Sequence, residues 1–274
     1  MRRETTLNQM NKYKVICGDC IEEMKKMEAE SVDVVCTSPV YNLKIPYQSY
    51  NDNLPQQKYL KWLGQVFIEI KRILKKDGSF FLNIGFSNLQ PWLALDVANQ
   101  ARQQFKLQNN ICWIKSIAIE DITHGHFKPI RSKRYTHCNW EHIFHFTHEC
   151  KVEIDRLAIG VPYIHKYNTK RWKHNEGSDL RCKGNTWFIP YSTIHGKIEK
   201  NNHPAVFPIA VPESCILLHG IQKKMVVLDP FVGVGSTLQA CQNLRVTGIG
   251  IDIDETYCAE TQKRINKFKQ SLMI

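Results

Sequence analysis

The sequence predicts an α/β protein: a doubly wound, mostly parallel sheet with helices on both faces and one basic insertion. Three observations carry this. Short runs rich in β-branched residues alternate with stretches whose apolar positions recur every three or four residues, the βα rhythm of a parallel sheet. Residues 225–252 then give strand, glycine turn, helix, strand and acidic tip in succession, the layout of a nucleotide-binding half. Between the regular parts, residues 151–202 lose that rhythm and gather positive charge. A length of 274 residues and a hydrophobic content of 43% suffice for one large domain with a core.

Taken in order, residues 1–11 are polar and read as a loose arm. Residues 13–17 read as a strand with Gly18-Asp19 at its carboxyl end, and Ile21, Met24 and Met27 have helical spacing. Asp19 either caps that helix or accepts a hydrogen bond from an adenine amino group or a ribose hydroxyl. Residues 32–36 form the next strand, stopped by a Ser-Pro breaker. The stretch Ser38-Pro39-Val40-Tyr41 therefore sits at the carboxyl edge of the sheet, where open α/β folds bind ligands. Pro39 restricts Ser38 to extended geometry, so the Ser38 and Pro39 carbonyls can face an exocyclic amine while Tyr41 stacks on its ring.

Residues 42–55 read as a polar, aromatic loop. In residues 56–76, Leu60, Leu63, Phe67, Ile70 and Leu74 define an amphipathic helix with Gly78 as its stop. A strand at 79–84, a helix at 91–105 and a strand at 111–114 follow. Residues 116–139 read as a loop that carries Lys128, Arg131, Lys133 and Arg134 beside His124 and His126. Residues 140–147 return to a strand. There His142 and His148 face one side and His145 the other, so the imidazoles do not converge and no metal site is predicted.

Residues 151–202 hold ten Lys or Arg against five Asp or Glu, Lys170, Arg171, Lys173, Arg181 and Lys183 among them, with six interleaved aromatics. That mixture suits phosphates and bases together; a solvated basic insertion with its own small core is the plainer alternative. A helix at 210–219 follows, then a strand at 225–228 and the turn Asp229-Pro230-Phe231-Val232-Gly233-Val234-Gly235-Ser236-Thr237. A last strand, 246–251, ends in Asp252, placed to hold a ribose diol. Only two glycines of a dinucleotide fingerprint are present, and Leu238 stands where the third belongs. Asp229 would repel a pyrophosphate but suits a cationic or zwitterionic ligand such as S-adenosylmethionine.

Lys and Arg outnumber Asp and Glu by 37 to 26, giving a net charge of +11 and a pI near 9.1. Such a surface favours polyanions, nucleic acid first. Ten cysteines form no framework, and Cys17-Gly18-Asp19-Cys20 lacks a second pair at zinc-site spacing. No apolar run approaches transmembrane length and no signal-peptide core is present. The expectation is a soluble, reduced, cytoplasmic protein.

With both motifs in hand, the chain resembles the permuted β class of DNA amino-methyltransferases. In that family a [SDN]-P-P-[YFW] tetrapeptide precedes the target-recognition region, and the cofactor glycine motif follows it. Here the order is Ser38-Pro39-Val40-Tyr41, the basic region, then Asp229-Pro230-Phe231-x-Gly233-x-Gly235-Ser236-Thr237. The segment His203-Pro204-Ala205-x-Phe207-Pro208 resembles the one before the family's cofactor strand, and Trp113 and Glu141 fall in similar segments. The resemblance implies a Rossmann-like methyltransferase fold, with residues 12–150 as catalytic half, 151–202 as target-recognition region and 203–274 as cofactor half.

It also implies S-adenosylmethionine as cofactor and double-stranded DNA as partner, with the target base flipped out of the duplex. Ser38, Pro39 and Tyr41 would hold the base. Asp19, Phe207, Asp229, Phe231, Gly233, Gly235, Ser236, Thr237 and Asp252 would surround the cofactor. Serine at the first motif position leans toward cytosine N4, with adenine N6 open. No Pro-Cys nucleophile is present for C5 methylation. Two departures stand out: Val40 replaces the second motif proline, and Gly-Val-Gly-Ser-Thr replaces the commoner Gly-Ser-Gly-Thr-Thr. The motif order disfavours RNA or protein-glutamine methylation, and the missing glycine disfavours a nicotinamide dehydrogenase. A non-catalytic DNA-binding homologue is the alternative from another class. A cognate restriction endonuclease as partner, and monomer or homodimer as state, stay open.

Overall fold

The computed structural model describes residues 12–43, 50, 52–125, 127, 130–165, 178–190 and 207–271. Strand β1 (Tyr13–Cys17) leads into helix α1 (Cys20–Lys25), and β2 (Val32–Thr37) into α2 (Gln56–Ile73). Next come β3 (Leu74–Ile84), α3 (Leu93–Ala101), β4 (Lys106–Ile114) and the pair β5 (Ser116–Ile119) and β6 (Ile122–Gly125). After β7 (Trp140–Thr147), β8 (Val161–Pro162), β9 (Leu180–Arg181) and β10 (Thr186–Phe188) cross the basic region. The chain closes with α4 (Ala210–His219), β11 (Val226–Asp229), α5 (Ser236–Leu244), β12 (Thr247–Asp252) and α6 (Glu255–Ser271).

Eight strands form one sheet in the order β1-β12-β11-β2-β3-β7-β4-β10. All neighbours run parallel except β7, which is antiparallel to both β3 and β4. The carboxyl ends of β1, β12, β11, β2 and β3 therefore share one edge, and in that order. Alternation along the strands feeds two cores. Val35, Phe80 and Leu82 pack with α1, α2 and α3 on one face. Val34, Cys36, Phe81, Trp113 and Trp187 pack with α4 and α5 on the other.

Three expectations are corrected. The helix from 56 does not run on to Gly78: it ends at Ile73, and Leu74 is already extended at φ −73°, ψ 130°. Leu74 is buried and pairs with Val32, so a core contact ends the helix early. Gly78 lies inside β3, where a Cβ would meet the Leu74 side chain at 2.8 Å and the Asp33 carbonyl at 2.9 Å. The helix expected over 91–105 is confined to 93–101. The loop expected at 116–139 begins with the β5–β6 hairpin, whose residues pair from Ser116 opposite Gly125 to Ile119 opposite Ile122. Part of the basic region also belongs to the main sheet: β10 pairs with β4, and Trp187 is buried. Among the described residues, no helix is long and apolar enough to cross a membrane.

Candidate active site

The strand tips bring together residues that lie more than two hundred positions apart in sequence. Cys17 of β1 pairs with Asp252 of β12, and the Gly18 amide donates to the Asp252 carbonyl at 2.9 Å. This sets Asp19 and Asp252 on adjacent tips. The Asp252 carboxylate accepts from the Gly233 amide at 2.8 Å through Oδ2 and from the Asp254 amide at 2.9 Å through Oδ1. Each oxygen keeps a further lone-pair site. Burial raises the Asp252 pKa above the ordinary carboxylate value. Asp19 caps α1: its Oδ1 accepts from the Ile21 and Glu22 amides at 2.9 and 3.1 Å, which leaves Oδ2 for another donor.

The glycine turn follows β11 directly. Gly235 has φ +90°, and a Cβ there would meet Thr261 Cγ2 at 2.7 Å, so the turn demands glycine. Asp229, expected to face a cationic ligand, instead lies beneath the turn, 1% exposed. The Thr37 and Thr237 hydroxyls donate to its two oxygens at 2.5 and 2.6 Å, and the Phe231 amide donates at 3.0 Å. Thr37 immediately precedes Ser38, so one carboxylate fastens the Ser38 loop to the glycine turn. Burial pushes its pKa up to about 6 against the opposing effect of those hydrogen bonds. Ser236 and Thr237 open α5 and are buried.

In the Ser38 loop, the Tyr41 hydroxyl lies 2.8 Å from Ser38 Oγ, 3.0 Å from Glu141 Oε2 and 3.2 Å from Asn83 Oδ1. The Asn83 amide donates to Glu141 Oε2 at 3.0 Å, and Lys115 Nζ pairs with Glu141 Oε1 at 2.8 Å. Gly85 gives the ring room, since a Cβ there would meet Tyr41 Cε2 at 2.9 Å. Although Val40 stands where a second proline was expected, its carbonyl accepts from the Tyr59 hydroxyl at 2.7 Å. Asn42, at φ +56°, exchanges two hydrogen bonds with the Leu54 backbone. The loop is thus pinned from α2 and from the chain preceding it.

Phe231 meets Trp62 edge-on with ring centroids 5.6 Å apart. Trp62 and Asp19 also border a surface groove of about 490 Å³ between α1 and α2. Phe207 packs on the opposite face, against the core beneath α4. Arg131, Lys133, Arg134 and Arg181 are exposed, and Lys183 lies over the Trp187 ring at 5.9 Å. Lys128, Lys170, Arg171, Lys173 and residues 203–206 lie outside the described residues. Sequence reasoning missed Thr37, Trp62, Asn83 and Lys115, and assigned Glu141 no role. Of these only Glu141 had a signal, its place in a segment resembling the family's.

The sequence profile of the family described as DNA methylase matches residues 32–263, a span containing the Ser38 motif, the basic region and the glycine turn. The chain belongs to that family. Its relatives include the Type II methyltransferase M.HpaI of Haemophilus parainfluenzae, 28% identical over 260 residues, or 92% of this chain and 74% of that one. The DNA adenine methyltransferase YhdJ of Escherichia coli is 28% identical over 260 residues as well, 92% of this chain and 82% of that one. Solved structures also share the fold, among them the following two. PvuII DNA methyltransferase (cytosine-N4-specific) gives a TM-score of 0.70 at 20% identity, over 93% of this chain and 88% of that one. Thermus thermophilus TTHA0409 complexed with S-adenosyl-L-methionine gives 0.60 at 20% identity, over 93% and 95%.

Proposed function

We propose that the protein is a site-specific DNA methyltransferase that transfers a methyl group from S-adenosylmethionine to the exocyclic amine of a flipped base, cytosine N4 first. The observation that carries this reading is the Thr37–Asp229–Thr237 fastening, which holds a Ser-Pro-x-Tyr loop against a two-glycine turn. A base held by the first would lie beside a ligand held by the second.

The residues suit the cofactor. Asp252 and Asp19 offer acceptors to a ribose diol and an adenine amine, and the turn at Gly233 and Gly235 admits close backbone approach. When bound, S-adenosylmethionine supplies a sulfonium-activated methyl group. The chain's part is positioning and charge stabilisation. Ser38 Oγ and the Ser38 and Pro39 carbonyls accept from the target amine, and the Tyr41 ring carries the base. Arg131, Lys133, Arg134, Arg181 and Lys183 contact DNA phosphates, together with Lys128, Lys170, Arg171 and Lys173.

Serine at position 38 favours cytosine. The similarity to YhdJ, whose name specifies adenine, keeps N6-adenine as the second reading. The Tyr59 bond to Val40 weighs against a weakened, non-catalytic homologue, because it replaces rigidity that a second proline would supply. The similarity to M.HpaI makes a cognate restriction endonuclease a reasonable partner. The deciding experiment incubates the protein with methyl-labelled S-adenosylmethionine and mixed-sequence duplex DNA, then identifies the labelled nucleoside. N4-methylcytosine is expected. N6-methyladenine would overturn the base assignment alone, whereas no label with cofactor bound would overturn the activity.

A further inference from the structure

We propose that Glu141 is a positioning residue that sets the direction of a hydroxyl chain ending at Ser38, so that Ser38 meets the target amine as an acceptor. The inference rests on the site reading above and extends it to residues outside the Ser38 and glycine motifs. Its basis is proton counting. A serine and a tyrosine each have one hydroxyl proton, whereas a carboxylate has none and can only accept. Glu141 is 9% exposed, and Lys115 Nζ donates to its Oε1 at 2.8 Å. The Asn83 amide donates to Glu141 Oε2 at 3.0 Å, so both carboxyl oxygens face fixed donors and act as acceptors.

With both Glu141 oxygens accepting, the Tyr41 proton points to Oε2, 3.0 Å away. The 2.8 Å contact between Tyr41 Oη and Ser38 Oγ must then be donated by Ser38. The Ser38 proton is thereby committed inward, and the lone pairs of its Oγ face outward, where the amine N–H arrives. Asn83 fixes the arrangement: its Nδ2 donates to Glu141 Oε2 and to the His142 carbonyl, both at 3.0 Å. Its Oδ1 therefore faces Tyr41 at 3.2 Å as a second acceptor. Every group behind Ser38 in this chain turns hydroxyl protons away from the base. The same bonds hold the Tyr41 ring in one plane over Gly85.

The test is a double-mutant cycle on the full-length protein, read as single-turnover methyl transfer to duplex DNA. Glu141→Ala should lower the rate at least about 10-fold, with the Kd for S-adenosylmethionine unchanged. Glu141→Gln should show a loss too, because its amide can present an N–H to Tyr41 and reverse the chain. In a Tyr41→Phe background, where the chain is already cut, adding Glu141→Ala should cost less than about 2-fold more. Losses that multiply, or a matching loss of cofactor affinity, overturn the proposal. A second readout needs no catalysis: in protein with labelled tyrosine ring carbons, the Tyr41 Cζ resonance should move in Glu141→Gln. An unmoved resonance overturns the chain even if activity falls. If the wild-type protein methylates no DNA, the functional reading falls, and the Tyr41 resonance still decides the geometry.

Discussion

Two buried polar knots sit in one sheet and serve different ends. At the carboxyl edge, Asp229 gathers hydroxyls from Thr37 and Thr237. In mid-sheet, on the face covered by α4, Ser79 Oγ sits between His145 Nε2 at 2.9 Å and His219 Nδ1 at 2.8 Å. Asn109 bonds the far side of His145 at 2.9 Å, and Phe81 stacks on its ring at 4.4 Å. Burial displaces both knots from ordinary titration: Asp229 rises to about 6, and His145 falls to about 3 with His219 adding to the effect. A displaced pKa therefore marks burial here rather than chemistry. What separates the knots is the elements they join. The first ties two site loops together, and the second ties β3, β4, β7 and α4 at positions away from any site loop.

Substitutions at the edge should break function before fold. Tyr41→Ala removes the proposed base platform and should reduce methyl transfer by roughly 100-fold or more, with cofactor affinity kept within about 2-fold. Isothermal titration beside a methylation assay checks this, and an equal loss of affinity would contradict the division of the site. Asp229→Ala leaves two buried hydroxyls without their acceptor and should cost about 3 kcal/mol of stability. It should also lower methyl transfer in the folded fraction, because the Ser38 loop and the glycine turn lose their common fastening. Normal turnover in a destabilised Asp229→Ala protein would make the edge knot as purely structural as the imidazole one. Asp252→Ala should chiefly weaken cofactor binding, by about 10-fold, with little change in rate at saturation.

The fold was largely legible because period and punctuation agree along most of the chain. The helix at 210–219 and the edge residues Asp19, Ser38, Gly233 and Asp252 follow from strand ends alone. The failures have physical causes. Helix α2 stops at Ile73 because Leu74 is claimed by a buried pairing with Val32, a tertiary contact that local spacing does not encode. The β5–β6 hairpin has largely exposed strands and so leaves no strong apolar alternation to read. Within the site, Asn83 of β3, Glu141 of β7 and Lys115, just past the end of β4, meet only because β7 inserts antiparallel between β3 and β4. The reversal of Asp229 from ligand-facing group to buried fastener came from Thr37, a residue with no motif of its own.

The smallest expected effect sharpens the comparison most, because the two knots respond to pH with opposite sign. His145 is held neutral in the fold, its pKa about 3 against an ordinary 6.5. Between those values the unfolded chain binds the extra proton, so this contribution is full above pH 6.5 and is lost as pH falls toward 3. Asp229 is held protonated in the fold up to about pH 6, against an ordinary 3.8. Its contribution is full below 3.8 and is lost as pH rises to 6. His145→Gln keeps polar partners near Ser79 and Asn109 but cannot titrate. It should cost about 1 kcal/mol at pH 7 and leave methyl transfer within about 2-fold, since no site loop touches it. Denaturant unfolding at several pH values should show the deficit shrinking between pH 6.5 and 4.5. In Asp229→Asn the stability difference from wild type should drift the other way over the same window. Parallel drifts in the two variants would mean that the knots are not electrostatically distinct.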